Sequence, residues 1–364
     1  MDGVDDKASL NRDGGSAGEA NTHHGTAPSP GAPRNFRERG FGIRRPPLGG
    51  TERDGQTAQT FRSRHEGAPR CRPARAVVGV AGVPACHHEP MGDLGKETAV
   101  EPLGDGRFGA TLSSDWEIWG PMGGYIASVA LRAAGAAGSH PFPAAFSCHY
   151  LGVAAFTDVD ISVETRKQGR NATSQRVEIT QGGRPVLDAM VWSTAEVEGL
   201  EHDESVPPDV PEPEGLAEPG GPGGIPQADV PPFWQNLRAR PVECEPEWPP
   251  DSPRPAVWRQ WVRFDPTPDL DDPWVDAARM VVLADLPSWP AAHRPHAWRR
   301  PPFIAPTLDL NVAFHRPASG AEWLLVDGTA PVSTRGLFGW TARVWSAGGT
   351  LHASGGGQCL YRRI

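Results

Sequence analysis

The chain has 364 residues, enough for roughly two domains of ordinary size and a sizeable core. A formal net charge of −9 argues against a nucleic-acid partner, which would call for a basic face or stripe. No apolar run approaches the roughly 20 residues of a membrane helix, so no membrane partner is expected.

Residues 1–95 are rich in Gly, Pro, Arg, Asp, Ser and His and show no sustained period. They cannot bury enough apolar surface to offset the entropy of ordering, and they read as a disordered extension. The N-terminus is polar where a signal peptide would be apolar, which makes the cytoplasm the expected location. The pairs His23, His24 and His87, His88, the second beside Cys86, lack another cluster at ligand spacing, so no metal is expected. Cys71, Cys86, Cys148, Cys244 and Cys359 are scattered and odd in number, which fits a reducing compartment. Met91 opens a stretch, MGDLGKETAV, that leads into foldable sequence and is an alternative start.

Phe108 to Trp116 alternates as an opening strand. Trp119 to Ala137, WGPMGGYIASVALRAAGAA, reads as an apolar helix, with Tyr125, Ile126, Val129, Ala130 and Leu131 at helical spacing and small residues between them. Small residues let another backbone come close. Pro121 suits the first turn, and Gly123 and Gly124 leave the helix N-terminus open to a carbonyl oxygen or an anion. Phe146 to Leu151, Val159 to Arg166, Ser174 to Thr180 and Val186 to Trp192 then alternate as half-buried antiparallel strands, with hairpin signals at Gly169 to Asn171 and at Gly182, Gly183.

Residues 196–232 are acidic and broken by proline at nearly every turn, as expected of an extended linker between a first domain, 96–195, and a second, 233–364. The second half repeats the first. Asp272 to Leu286 is again a helix opened by proline, and Thr307 to His315, Glu322 to Asp327, Gly339 to Ser346 and Leu351 to Tyr361 read as strands. Two copies of a long helix and a curled antiparallel sheet make an α+β fold.

GPMGGYIASVAL, HYLGVA at His149, TLDLNVAFHRP from Thr307 and EWLL from Glu322 together resemble the acyl-CoA thioesterase II family, the double-hotdog thioesterases. The resemblance runs from about Phe108 to Arg363, with Gly152 standing where an arginine is usual. It implies a double hotdog that hydrolyses a medium- or long-chain fatty acyl-CoA to free acid and coenzyme A without a cofactor. A carboxylate, a hydroxyl residue and a glutamine would hold and activate the water, and a helix N-terminus would polarise the thioester carbonyl.

Carried over residue by residue, the signature carboxylate falls on Asp309 and the hydroxyl on Ser333 or Thr334, with Thr334 preferred. The glutamine position falls on Gly357, while Gln358 stands one residue late. A bulge in the Gly355 to Gly357 run would restore its direction; otherwise Gln358 faces away. Gly123, Gly124 and Trp119 are the expected substrate-binding residues, and Trp340 is a second tryptophan that could line a ligand site. His315, Arg316, Arg335, Arg362 and Arg363 form a basic set that could meet a phosphate or remain a solvated edge. The displaced glutamine leaves open a non-catalytic acyl-CoA or acyl-carrier binding protein. A hotdog hydratase would need an Asp and His dyad at short spacing, and none is found. A homo-oligomer is expected by family analogy alone.

Overall fold

The computed structural model describes residues 92–216, 230–243, 252–296 and 302–363, all within the unit Gly67–Ile364. The extension to Met91, its histidine pairs, Cys71, Cys86, Cys244 and part of the proline-rich linker lie outside the described residues.

Asp93 caps a short helix, α1 (Leu94–Glu97), by accepting from the N–H groups of Gly95 and Lys96. The strands β1 (Glu101–Gly104) and β2 (Arg107–Thr111) follow. The expected strand from Phe108 to Trp116 stops at Thr111, because Ser113 caps a 3-10 turn that buries Trp116. Next come α2 (Gly123–Ala137), β3 (Phe142–Tyr150), β4 (Asp158–Gln168), β5 (Ala172–Gln181) and β6 (Arg184–Thr194). Pro121 therefore precedes α2 instead of opening its first turn.

The second half contains β7 (Leu237–Pro241), β8 (Val257–Phe264), α3 (Pro273–Asp285), α4 (Ser288–His293) and β9 (Phe303–Ile304). It continues with β10 (Thr307–Phe314), β11 (Leu324–Thr334), β12 (Leu337–Ser346), β13 (Leu351–Leu360) and β14 (Arg362–Arg363).

Twelve of these strands form one antiparallel sheet in the order β1-β2-β4-β5-β6-β3-β10-β13-β12-β11-β8-β7. The six strands of each half run outward in mirrored order from the seam between β3 and β10, where Leu310 faces Cys148 and Val312 faces Phe146. Each half curls around its own helix. The fold is an α+β double hotdog whose two sheets are joined edge to edge, with α2 and α3 in contact beneath the seam.

That contact depends on small residues. A Cβ on Gly124 would lie 2.8 Å from Val282 Cα, and one on Gly135 would lie 2.5 Å from the Trp274 ring. Ser128 hides its hydroxyl on the carbonyls of Gly124 and Ala278. Val129, Leu131, Val281, Val282 and Leu283 are fully enclosed, and burying each such side chain is worth about 1.5–3 kcal/mol.

The linker is also in use. Val210 and Leu216 pack on a second cluster, Trp261, Trp323, Leu325 and Trp345, on the outer face of the second half. Trp261 Nε1 donates to the Pro211 carbonyl at 2.9 Å. No helix among the described residues is long and apolar enough to cross a membrane.

Candidate active site at the start of α2

The N-terminus of α2 has no side-chain cap, because Met122 occupies the capping position and Gly123 and Gly124 follow. The unsatisfied N–H groups of a helix start carry partial positive charge. Gly124 N–H donates to Asp285 Oδ2 at 2.9 Å, while Gly123 N–H has no acceptor among the described residues. Asp285 is the last residue of α3, brought here because α2 and α3 pack with opposed directions. Its second oxygen, Oδ1, accepts from the Thr307 hydroxyl at 3.1 Å. Thr307 opens β10, at a register shift between Thr307 and Asp309 that turns its side chain inward opposite Cys359.

Burial dominates the electrostatics of Asp285. Desolvation lifts its carboxyl from 3.8 to about 6, and the hydrogen bonds from Gly124 and Thr307 hold it from rising further. The group is charged near neutral pH yet close enough to that range to accept a proton. Burial raises the Cys148 and Cys359 thiols well above their ordinary value, so both are inert thiols beside the site.

Asp285 and Thr307 form the polar end of a cavity of about 370 Å³. Its other walls are largely apolar and include Met122, Ile126, Trp234, Trp258 and Trp289. Tyr150 and Gln260 add polar groups. Trp119 lines the same cavity while remaining half exposed. Gly152 lines it too, and a Cβ there would lie 2.7 Å from the Pro185 carbonyl oxygen, so the backbone here has no room for an arginine unless it shifts.

The start of α3 is closed where that of α2 is open. Asp272 caps it by accepting from Trp274 N–H and pairs with Arg132 at 2.8 Å, and Trp274 lies over Gly135. The duplicated fold therefore has two helix starts with different chemistry.

The residues expected from the sequence divide into two groups. Gly123 and Trp119 line the cavity, and Gly124 is tied to it through its N–H on Asp285. Asp309 and Gln358 are brought together, but as register partners on the opposite face of the sheet, in a row with His149 and Asp188. Their inward neighbours are Leu310, Gly357 and Cys359, and Gln358 is exposed. The Gly355 to Gly357 run pairs in unbroken register with both neighbouring strands, so no bulge turns Gln358 inward. The inward position, Gly357, has no side chain, and a Cβ there would lie 2.9 Å from Trp340 Cη2.

Thr334 is exposed at the end of β11, opposite Leu337, while Ser333 donates to the Tyr361 hydroxyl. Trp340 is buried and donates to the Ala284 carbonyl. His315 pairs with Ser354 and Arg316 with Asp203, and none of the basic residues lines the cavity.

Asp285 and Thr307 are not among the site residues expected from the sequence. The available signal was an aspartate in the last turn of an apolar helix, the end at which the helix dipole disfavours negative charge.

Two family models match the chain. The model described as acyl-CoA thioesterase N-terminal domain covers residues 112–194. The model described as acyl-CoA thioesterase C-terminal domain covers residues 204–356. Among solved structures, a hot-dog-fold protein from Alicyclobacillus acidocaldarius is 23% identical with a TM-score of 0.63, covering 74% of this chain and 98% of that one. Acyl-CoA thioesterase II TesB2 from Mycobacterium marinum is 20% identical with a TM-score of 0.61 and the same coverage. The tesB protein of Mycobacterium avium subs paratuberculosis is 20% identical with a TM-score of 0.60, again over 74% and 98%. At these identities the structures establish the fold.

Proposed function

We propose that this chain, which belongs to the acyl-CoA thioesterase family and is a thioester hydrolase, performs its hydrolysis with Asp285 as general base at the open start of α2. The observation that supports this most is the buried carboxylate bridging Gly124 N–H and the Thr307 hydroxyl at the polar end of an apolar cavity.

Water held by Asp285 and Thr307 attacks the thioester carbonyl carbon as its proton passes to the carboxylate. The developing oxyanion lies against the N–H of Gly123 at the positive end of α2. Collapse breaks the carbon–sulfur bond, and the proton on Asp285 returns to the departing thiolate, which leaves the free acid, coenzyme A and a regenerated base.

The acyl chain occupies the tryptophan-lined cavity. At about 370 Å³ it is near the small end of ligand pockets, which run roughly 300–1,000 Å³, and this favours medium over long chains. Under this reading the enzyme is cytoplasmic, serves fatty acid metabolism, and uses 96–195 and 233–364 as two domains. Thiol release from a panel of acyl-CoA thioesters of graded length tests it: activity peaking at medium length is expected, and none at any length would refute it.

A second reading is non-catalytic acyl-CoA or acyl-carrier binding. It is favoured by the outward Gln358 and the bare Gly357. Saturable binding without thiol release would establish it.

A further inference from the structure

With Gln358 on the far face of the sheet and Gly357 bare, Asp285 and Thr307 have no glutamine from β13 beside them. The cavity contains another polar group close to the same point. Tyr150, the last residue of β3, lines it. Its hydroxyl is buried and has no nitrogen or oxygen partner among the described residues; the soft Cys148 thiol, two residues earlier on the same strand face, is the polar group beside it.

A buried hydroxyl without a partner is unfavourable and calls for an explanation. The geometry around Gly123 supplies one. A Cβ placed on Gly123 would lie 2.8 Å from Asp285 Oδ2 and 3.3 Å from the Tyr150 hydroxyl, so the base and the phenol flank one point at the first residue of α2. The two oxygens are then no more than about 6 Å apart, so a thioester whose carbonyl carbon meets the water on Asp285 can present its carbonyl oxygen to the phenol.

We propose that Tyr150 is a catalytic residue of the thioester hydrolysis proposed above, donating its hydroxyl hydrogen bond to the thioester carbonyl oxygen alongside Gly123 N–H. The phenol stays protonated throughout, so it moves no proton and stabilises the oxyanion as a fixed dipole. Glycine at 123 is required on the same grounds, since any side chain would fill the point where the two groups converge.

The test is Tyr150→Phe in the full chain. Loss of one oxyanion donor should lower kcat/KM by at least about 100-fold, with up to about 10-fold of it in KM because the ground-state carbonyl also accepts this bond, and the rest in kcat. Thermal stability should be little changed or higher, because the variant removes a buried hydroxyl with no nitrogen or oxygen partner among the described residues. A binding pair separates this role from a structural one. A 2-oxoalkyl-CoA, which keeps a carbonyl, should bind the variant about 10-fold more weakly than the wild type, whereas the S-alkyl-CoA thioether, which lacks it, should bind both equally. An active wild type with unchanged kcat in Tyr150→Phe, or equal loss of both analogues, would overturn this assignment and leave the Asp285 reading standing. An inactive wild type would overturn that reading and this one with it.

Discussion

Replacing Asp285 by asparagine should make the protein more stable and inactive at once. The carboxyl titrates at about 6 in the folded protein against 3.8 as its ordinary value, because it is buried. A raised carboxyl pKa means that the folded state prefers the protonated form. The stabilisation from this group is complete below about pH 4 and is lost as pH rises through about 6. A shift of about 2 units corresponds to roughly 3 kcal/mol withheld from the folded state at pH 7–8. Asparagine has nearly the same shape: its oxygen can accept from Gly124 N–H and its amide can donate to Thr307 Oγ1, so both contacts survive without the charge. Urea unfolding of the wild type and Asp285→Asn from pH 4 to 8 should show curves that agree near pH 4 and separate by up to about 3 kcal/mol at pH 8, with the variant more stable. Thiol release by the variant should fall by about 10²–10⁴. A variant less stable than the wild type at pH 8 would refute the claim that the buried charge is a cost borne for function.

Three further outcomes follow from the same geometry. The kcat of the wild type should fall as pH drops through about 6, where Asp285 takes up a proton, and stay level from about pH 7 to 8; a profile flat from pH 5 to 8 would count against a carboxylate base. Thr307→Val keeps shape but removes a hydrogen bond that lowers the Asp285 pKa, so the acid limb of the pH–rate profile should move to higher pH and the rate at pH 7 should drop by roughly 10-fold or more. Gly124→Ala would push a Cβ to 2.8 Å from Val282 Cα, and chemical denaturation should show a loss of about 1–3 kcal/mol together with reduced thiol release as α2 and α3 separate.

Most of the fold was legible because its signals are local. Alternation marks β3 to β6 and β10 to β13, apolar residues at helical spacing mark α2, and a proline-opened apolar run marks α3. β8 is not legible although Trp258, Gln260, Val262 and Phe264 alternate inward, because its outward Trp261 is apolar too, buried under the linker, and blurs the period. The opening strand ran long because nothing local signalled that Ser113 would cap a turn.

The site was half legible. The glycine entrance of α2 could be read from its own residues, but Asp285 reaches it from a helix 161 residues later in the chain, and no local pattern shows that. The motif around Thr307 was recognised, yet the irregularity between Thr307 and Asp309 directs the threonine to the cavity and the aspartate to the outer face.

Thiol release from a medium-chain acyl-CoA by Asp285→Asn and Asp309→Asn, measured side by side with the unaltered chain, tests the assignment of the base most directly. Asp285→Asn should lose at least about 100-fold while Asp309→Asn stays within about 3-fold of the wild type. The reverse pattern would contradict it and return the chemistry to the outer face of the sheet.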